Sequence, residues 1–240
     1  MNAPAADARR DPRAAAADAW TFRCRVELEA VARFERLARR MERLGDAAEL
    51  VALARRASAD EARHARLCAE RAAALGARPS VAPVRALPEI APSAASLRER
   101  ALYEVVAACC ISETESMAVL GALLDAARAP ALRATLHALA RDEVRHARLG
   151  WAYLARAREV EFLGPLVPAM LEGSAGPDLF QAGVAEPEPG ALLELGVLPR
   201  RLKRELFERV LVEVTCPGLE RLGVDAGPAR RWLDRRRAAR

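Results

Sequence analysis

The sequence predicts an all-α fold, a four-helix bundle with a long connection between its second and third helices and one or two extra helices at the C-terminal end. Three observations carry this prediction. The composition is 52% apolar and only 4% aromatic, with Ala, Leu and Arg dominant, which favours helices over sheets. Apolar residues recur at steps of three and four along four long segments, the period of a helix with one buried face. One motif also occurs twice: residues 59–67 and 141–149 agree at seven of nine positions. The offset of 82 residues repeats half a bundle. At 240 residues the chain is most simply one domain, long enough to bury a core.

Residues 1–16 read as a disordered leader, since the first twenty mix Ala, Arg and Asp without the apolar run of a signal peptide. The bundle and its C-terminal helices are expected over 17–222. The first helix should run from near Ala17 to Leu44, with Gly45 as its cap. Three glutamates compete on it. Steps from Glu27 reach Trp20, Cys24, Val31, Phe34, Ala38 and Met41, a continuous apolar stripe. Steps from Glu29 reach Arg25, Arg33, Arg36 and Arg40, a solvent face, and Glu35 lies on a mixed one. A carboxylate inside an apolar stripe is costly unless a charge or hydrogen bond awaits it, which singles out Glu27.

The second helix, about 47–75, is expected to be capped by Asp46 and stopped by Gly76. Its stripe of Leu50, Ala54, Ala57, Glu61, His64, Cys68, Ala72 and Leu75 points both motif residues inward. Prolines at 79, 83, 88 and 92 forbid a helix through 77–93 and predict an extended crossover. Ser96-Leu97-Arg98-Glu99 reads as a capping box opening the third helix, which ends before Pro130. Steps from Glu113 reach Leu102, Val106, Cys109, Ser116, Met117, Leu120 and Leu124. Glu115 faces nearly the opposite way, among smaller residues, so Glu113 is preferred.

The fourth helix begins at Pro130 and turns Leu132, Leu136, Leu139, Glu143, His146, Gly150, Tyr153 and Ala157 inward. Beyond it, 160–171 read as a short helix broken at Gly164-Pro165, 172–190 as loop, and 199–222 as a helix kinked near Pro217. Residues 223–240 read as a basic tail. The arginines from Arg230 to Arg237 could meet nucleic acid or an acidic partner, but one short run is weak ground, and a solvated, frayed tail is the reading we take.

Each motif copy holds Glu-x-x-His, Glu61 with His64 and Glu143 with His146, a spacing that puts carboxylate and imidazole on one side of a helix. Together they use two of the three histidines. A single Glu-x-x-His in such a sequence would be an ordinary surface pair. Two inward-facing copies, with Glu27 and Glu113 on the flanking helices, form the ligand set of a di-iron or di-manganese carboxylate bundle. Their depths agree. Glu27 lies 18 residues before Gly45 and Glu61 16 after it; Glu113 and Glu143 lie 16 and 14 residues either side of Ala129. Aligning the two hairpins requires a return of ~48 Å, from ~32 helical residues, and about eighteen extended residues reach ~60 Å.

Four carboxylates and two neutral imidazoles suit two iron ions, or manganese or a mixed Fe/Mn pair, ahead of zinc. The ligand charges offset two dications. Two metals ~3.5–4 Å apart can take a small oxidant between them, so two-electron reduction of dioxygen or peroxide is the expected chemistry. Asp60 and Asp142 are expected to accept the other imidazole N–H, each from the histidine of the other motif, with Arg63 and Arg145 paired to them. The ordinary alternative is a solvated i, i+3 ion pair worth a few tenths of a kcal/mol. His137 sits between arginines, as a surface histidine would. Cys109 either lines the substrate pocket or is a small buried hydrophobe. Tyr153 is either a redox-active neighbour or, more ordinarily, a core tyrosine.

The five cysteines contain no C-x-x-C, which points to a reducing cytoplasm and away from an iron–sulfur or rubredoxin-type relay within the chain. Electrons would then come from a separate reductase or ferredoxin. No run of eighteen apolar residues occurs, so no membrane span is expected.

The sequence resembles the ferritin-like superfamily of non-haem di-iron proteins. Asp60-Glu61-Ala62-Arg63-His64 and Asp142-Glu143-Val144-Arg145-His146 are similar to the motif of the bacterial multicomponent monooxygenases. The segments from Glu27 to Phe34, Cys110 to Thr114, Asp142 to Ala147 and Val214 to Leu219 resemble a group of bacterial ferritin-like domain proteins, although Leu28 stands where that group often has His. The resemblance implies an up-down-down-up bundle with metal ligands at Glu27, Glu61, His64, Glu113, Glu143 and His146. It implies no substrate, because the fold hosts oxygenases, oxidases, ferroxidases, peroxidases and catalases. The expectation is a cytoplasmic di-iron oxygenase- or oxidase-type enzyme acting on a small molecule with dioxygen or peroxide. Iron oxidation, peroxide scavenging and metal storage follow as alternatives, and a nucleic-acid-associated bundle comes last.

Overall fold

The computed structural model describes residues 11–84, 87–176, 178–181 and 186–239, and these form helices, turns and loops. Helix α1 (Pro12–Leu44) starts earlier than expected. The Asp11 carboxylate accepts from the Arg13 N–H at 3.1 Å, Pro12 has the φ a first helical residue needs, and Ala16 and Ala17 are buried. Residues 12–16 are therefore helix and not leader; residues 1–10 lie outside the described residues. Gly45 ends α1 with φ at 69°, a left-handed conformation that glycine adopts without strain.

Helix α2 (Ala48–Ala74) follows directly, but Asp46 does not cap it; Ala47 holds that position without a side-chain bond. The Asp46 carboxylate accepts instead from the Tyr153 hydroxyl at 2.7 Å, which ties the α1–α2 turn to the fourth helix. Helix α3 (Leu97–Ala126) opens on the expected capping box of Ser96 and Glu99 and contains a π-helical stretch, Val105–Ser112. Helix α4 (Pro130–Leu154) begins at Pro130, as expected.

Side-chain contacts fix the topology. Arg23 reaches Ser116 and Arg40 reaches Glu104, so α1 and α3 run in opposite directions. Arg63 meets Asp142 and Arg145 meets Asp60, so α2 and α4 are also antiparallel. With two hairpins this gives the up-down-down-up bundle. The crossover is pinned where a solvent face was expected. Arg36 and Arg40 both bind Glu104, which is fully buried, through contacts of 3.0 and 2.8 Å. Arg36 also donates to the Leu87 carbonyl at 2.8 Å, and Arg40 pairs with Glu89. A buried carboxylate requires such partners, and here they also hold the linker against α1.

Helix α3 is long and apolar enough to cross a membrane, but 56% of its apolar window is buried inside the protein. It is covered by α4 on one side and by C-terminal helices on the other. A 3-10 turn, Glu161–Leu166, takes in Gly164 and Pro165 and leads into α5 (Val167–Ala175), which therefore extends into the expected loop. Short α6 (Pro189–Glu194) precedes α7 (Arg200–Val210). A π-helical turn, Leu211–Thr215, joins α7 to α8 (Cys216–Arg221), with Pro217 in the first turn of α8, where its missing N–H is harmless.

The expected frayed tail is instead helix α9 (Gly227–Ala238). Its Trp232 and Leu233 are buried, and Trp232 packs against Phe180 and Phe207. Trp232 donates to Glu172 at 2.7 Å, Arg237 donates to Glu208 at 2.8 Å, and Arg230 and Arg236 pair with Glu220 and Glu172. Much of the basic run is thus spent on internal contacts.

Candidate metal centre

The apolar core of the bundle is divided in two. One part holds Trp20, Cys24, Cys68, Leu120, Leu136 and Leu139; the other holds Phe34, Ala57, Leu102, Val106, Cys109 and Leu149. Each of the four helices contributes to both parts and is polar at the level between them. There lie Glu27 on α1, Glu61 and His64 on α2, Glu113 on α3, and Glu143 and His146 on α4, none more than 9% exposed. The structure brings all six sequence-selected residues to one level.

Their donor atoms form two overlapping groups. Atoms of Glu27, Glu61, His64 and Glu143 lie within 4.8 Å of one another, as do atoms of Glu61, Glu113, Glu143 and His146. Glu61 and Glu143 belong to both, which describes two adjoining cation positions with two shared carboxylates. The Glu61 oxygens lie 3.2 Å from His64 Nδ1 and 2.9 Å from His146 Nδ1. Yet both Glu61 oxygens and His64 Nδ1 lack a hydrogen-bond partner among the described residues. Buried lone pairs aimed at one another are unfavourable unless a cation lies between them. The donor set therefore fits metal, and hard or borderline divalent metal in particular.

The protein alone answers the charge of the cluster with protons. Burial, then repulsion from Glu143 and Glu27, pushes Glu61 well above the usual carboxylate range. Burial, then Glu143 and Glu61, does the same to Glu113. Burial also acts to raise Glu143, but hydrogen bonds from His146 and Glu113 outweigh it and hold this carboxylate low. His146 is pushed up to about 11, because its attraction to the Glu143 and Glu61 carboxylates outweighs the cost of burying its cation. Metal ions entering here displace protons.

On the α2–α4 side the two motifs interlock. His64 Nε2 lies 3.3 Å from Asp142 Oδ2, and His146 Nε2 lies 3.5 Å from Asp60 Oδ2, so each imidazole faces the aspartate of the other motif. The arginines cross as well, Arg145 binding Asp60 at 3.0 Å and Arg63 binding Asp142, while each also reaches the aspartate on its own helix. Burial would raise both aspartates, but these guanidinium bonds, joined at Asp142 by bonds from Arg141 and His64, hold them below the usual range. Turning Nε2 toward a carboxylate leaves Nδ1 free to face the metal level.

Sequence reasoning missed two residues on the opposite side. Arg23 Nε donates to Glu27 Oε1 at 3.1 Å, and its Nη2 donates to Ser116 Oγ at 3.3 Å. Ser116 in turn reaches Glu143 Oε1 at 3.3 Å. The signal was present: Arg23 stands one turn before Glu27, and Ser116 lies on the Glu113 stripe. Other candidates fall elsewhere. Glu115 is also buried, but it accepts from Ser174 at 3.0 Å and faces Lys203 rather than the cluster. His137 is exposed. Cys109 is fully buried against Gly150, and Tyr153 is bound to Asp46.

Residues 21–150, the span that holds all six cluster residues, match the family described as Rubrerythrin. No curated protein matches the chain in sequence. Among solved structures, a chain described as "Protein 19 with aldehyde deformylating oxidase activity" from Synechococcus superposes with a TM-score of 0.59. The alignment covers 94% of this chain and 100% of that one at 19% sequence identity, a likeness of fold.

Proposed function

The chain belongs to the rubrerythrin family, and on that premise we propose that it is a di-iron oxidoreductase that uses dioxygen or peroxide to oxidise a small substrate. Glu27, Glu61, His64, Glu113, Glu143 and His146 are the ligands in this reading. The observation that carries it is the pair of overlapping donor groups with unpartnered Glu61 and His64 atoms at their centre. Iron held there supplies the electrons for two-electron reduction of the oxidant. The protein's part is to hold and shield. Asp142 holds the His64 imidazole and Asp60 faces that of His146, Arg63 and Arg145 fix the aspartates, and apolar core above and below excludes water.

The α2–α4 side is closed by the four interlocked ion-pair residues. Glu27 and Glu113, at 6% and 9% exposure, are the least enclosed ligands and mark the α1–α3 side as the approach. All five cysteines are free and buried, in keeping with a cytoplasmic protein reduced by a separate electron donor. A related fold carrying an aldehyde deformylating oxidase supports an oxidase-type reaction, although not that substrate.

Anaerobic loading with ferrous iron, followed by exposure to oxygen or peroxide, tests the reading. Two irons per chain and repeated oxidant consumption with an added reductant are expected. Iron that binds but never turns over would favour storage. Glu113→Ala should abolish the two-iron stoichiometry, and Glu115→Ala should preserve it. The reverse result would mean that α3 presents its other face.

A further inference from the structure

Resting on that reading, we infer that Arg23 is the recognition residue for a small carboxylate that docks at the α1–α3 side of the metal centre. The guanidinium carries five N–H donors in a planar fork. Its Nε is engaged by Glu27 and one Nη2 hydrogen by Ser116; Nη1 has no acceptor among the described residues. Three N–H groups, two on Nη1 and one on Nη2, are therefore left for a ligand, and a pair on adjacent nitrogens binds a carboxylate through two parallel bonds.

Placement and charge favour the same ligand. The Arg23 side chain is 21% exposed, whereas the Glu27 side chain it holds is 8% exposed, so Arg23 is the more solvent-accessible member of the pair. On the sealed side, Arg63 and Arg145 are each bound to both aspartates. With four carboxylates and two dications the centre is formally neutral. Arg23 adds one positive charge at its open side, and an incoming anion neutralises that charge. The two contacts already made to Glu27 and Ser116 hold the fork in place before any ligand arrives, which reduces the ordering cost of binding.

The test is a titration of the iron-loaded, air-oxidised protein with acetate, followed by visible absorbance, in wild type, Arg23→Gln and Arg23→Lys. Chloride at equal ionic strength is the control, and iron content is measured for each protein. Wild type should bind acetate saturably and chloride weakly. Arg23→Gln should bind acetate at least roughly tenfold more weakly, the loss expected for charge-assisted hydrogen bonds. Arg23→Lys should fall between, since it keeps the charge without the fork. Wild-type affinity in either iron-loaded variant would overturn the inference. So would loss of iron from both variants, because Arg23 would then support the ligands and not recognise an anion. Failure of the wild type to hold two irons would sink the reading under Proposed function instead, and would show itself before any variant is compared.

Discussion

At the scale of single residues, the informative feature is that the Asp60 and Asp142 charges are each shared by several donors. Asp142 accepts from His64, Arg63, Arg141 and Arg145. Asp142→Asn removes the charge and leaves the shape, so partly exposed arginines lose a partner and His64 loses its carboxylate. The expected cost is about 1–3 kcal/mol of stability, discounted for the solvent that reaches both arginines, and roughly 10–100-fold in iron affinity. Chemical denaturation and competitive metal titration measure the two. The pH dependence follows in sign. Burial would raise Asp60 and Asp142, but their arginine bonds hold both below the usual carboxylate range. As pH falls, the unfolded chain takes up these protons first, at ~3.9. The stability they contribute is thus full above that value and lost as pH drops toward their folded values. Metal-free wild type should show an acid transition that begins near pH ~4 and is shallower in Asp142→Asn.

At the scale of elements, α3 matters most, because its π-helical stretch ends immediately before Glu113. A π-helical insertion shifts the phase of everything after it relative to what came before. Within this stretch α3 lies very near α4: a Cβ on Gly150 would lie 2.4 Å from the Cys109 Cβ and 3.1 Å from its backbone carbon. Gly150→Ala should therefore destabilise the protein by about 1–3 kcal/mol, as overpacking does. Cys109→Ala should not rescue it, because the clashing atoms are the Cβ and the main chain. Urea melts of the two single variants and the double variant decide this. A Gly150→Ala protein as stable as wild type would show that α3 and α4 are farther apart. The glutamate choice on this helix was legible, since Glu113 and Glu115 must face apart in any helical geometry. The burial of Glu115 was not, because its cover comes from α5 and α7.

At the scale of the whole molecule, the bundle shares one of its two core clusters with the C-terminal helices. Leu163, Val167, Leu171, Phe207 and Trp232 continue the core that contains Phe34, Leu102 and Tyr153. The Phe180–Phe207–Trp232 rings, with centroids 5.5–6.1 Å apart, close the far end. Truncation after Leu222 removes Trp232 and Leu233 and uncovers these apolar residues. It should lower the melting temperature by several degrees and raise dye binding to exposed apolar surface, with the iron stoichiometry retained. Thermal melts and metal analysis on the truncated chain check both parts.

The sequence by itself determined the four helices, the turn at Gly45, the capping box at Ser96 and the level at which six ligand-type side chains meet. Those features follow from helical periodicity and from equal arm lengths about two turns, which are properties of a chain read locally. Only the tertiary structure decided that Arg36 and Arg40 face a buried Glu104, that α9 docks through Trp232, and that Arg63 and Arg145 each span both aspartates. The partners in those contacts lie far apart in sequence, and an arginine-rich helix face looks the same in sequence whether water or a buried carboxylate awaits it.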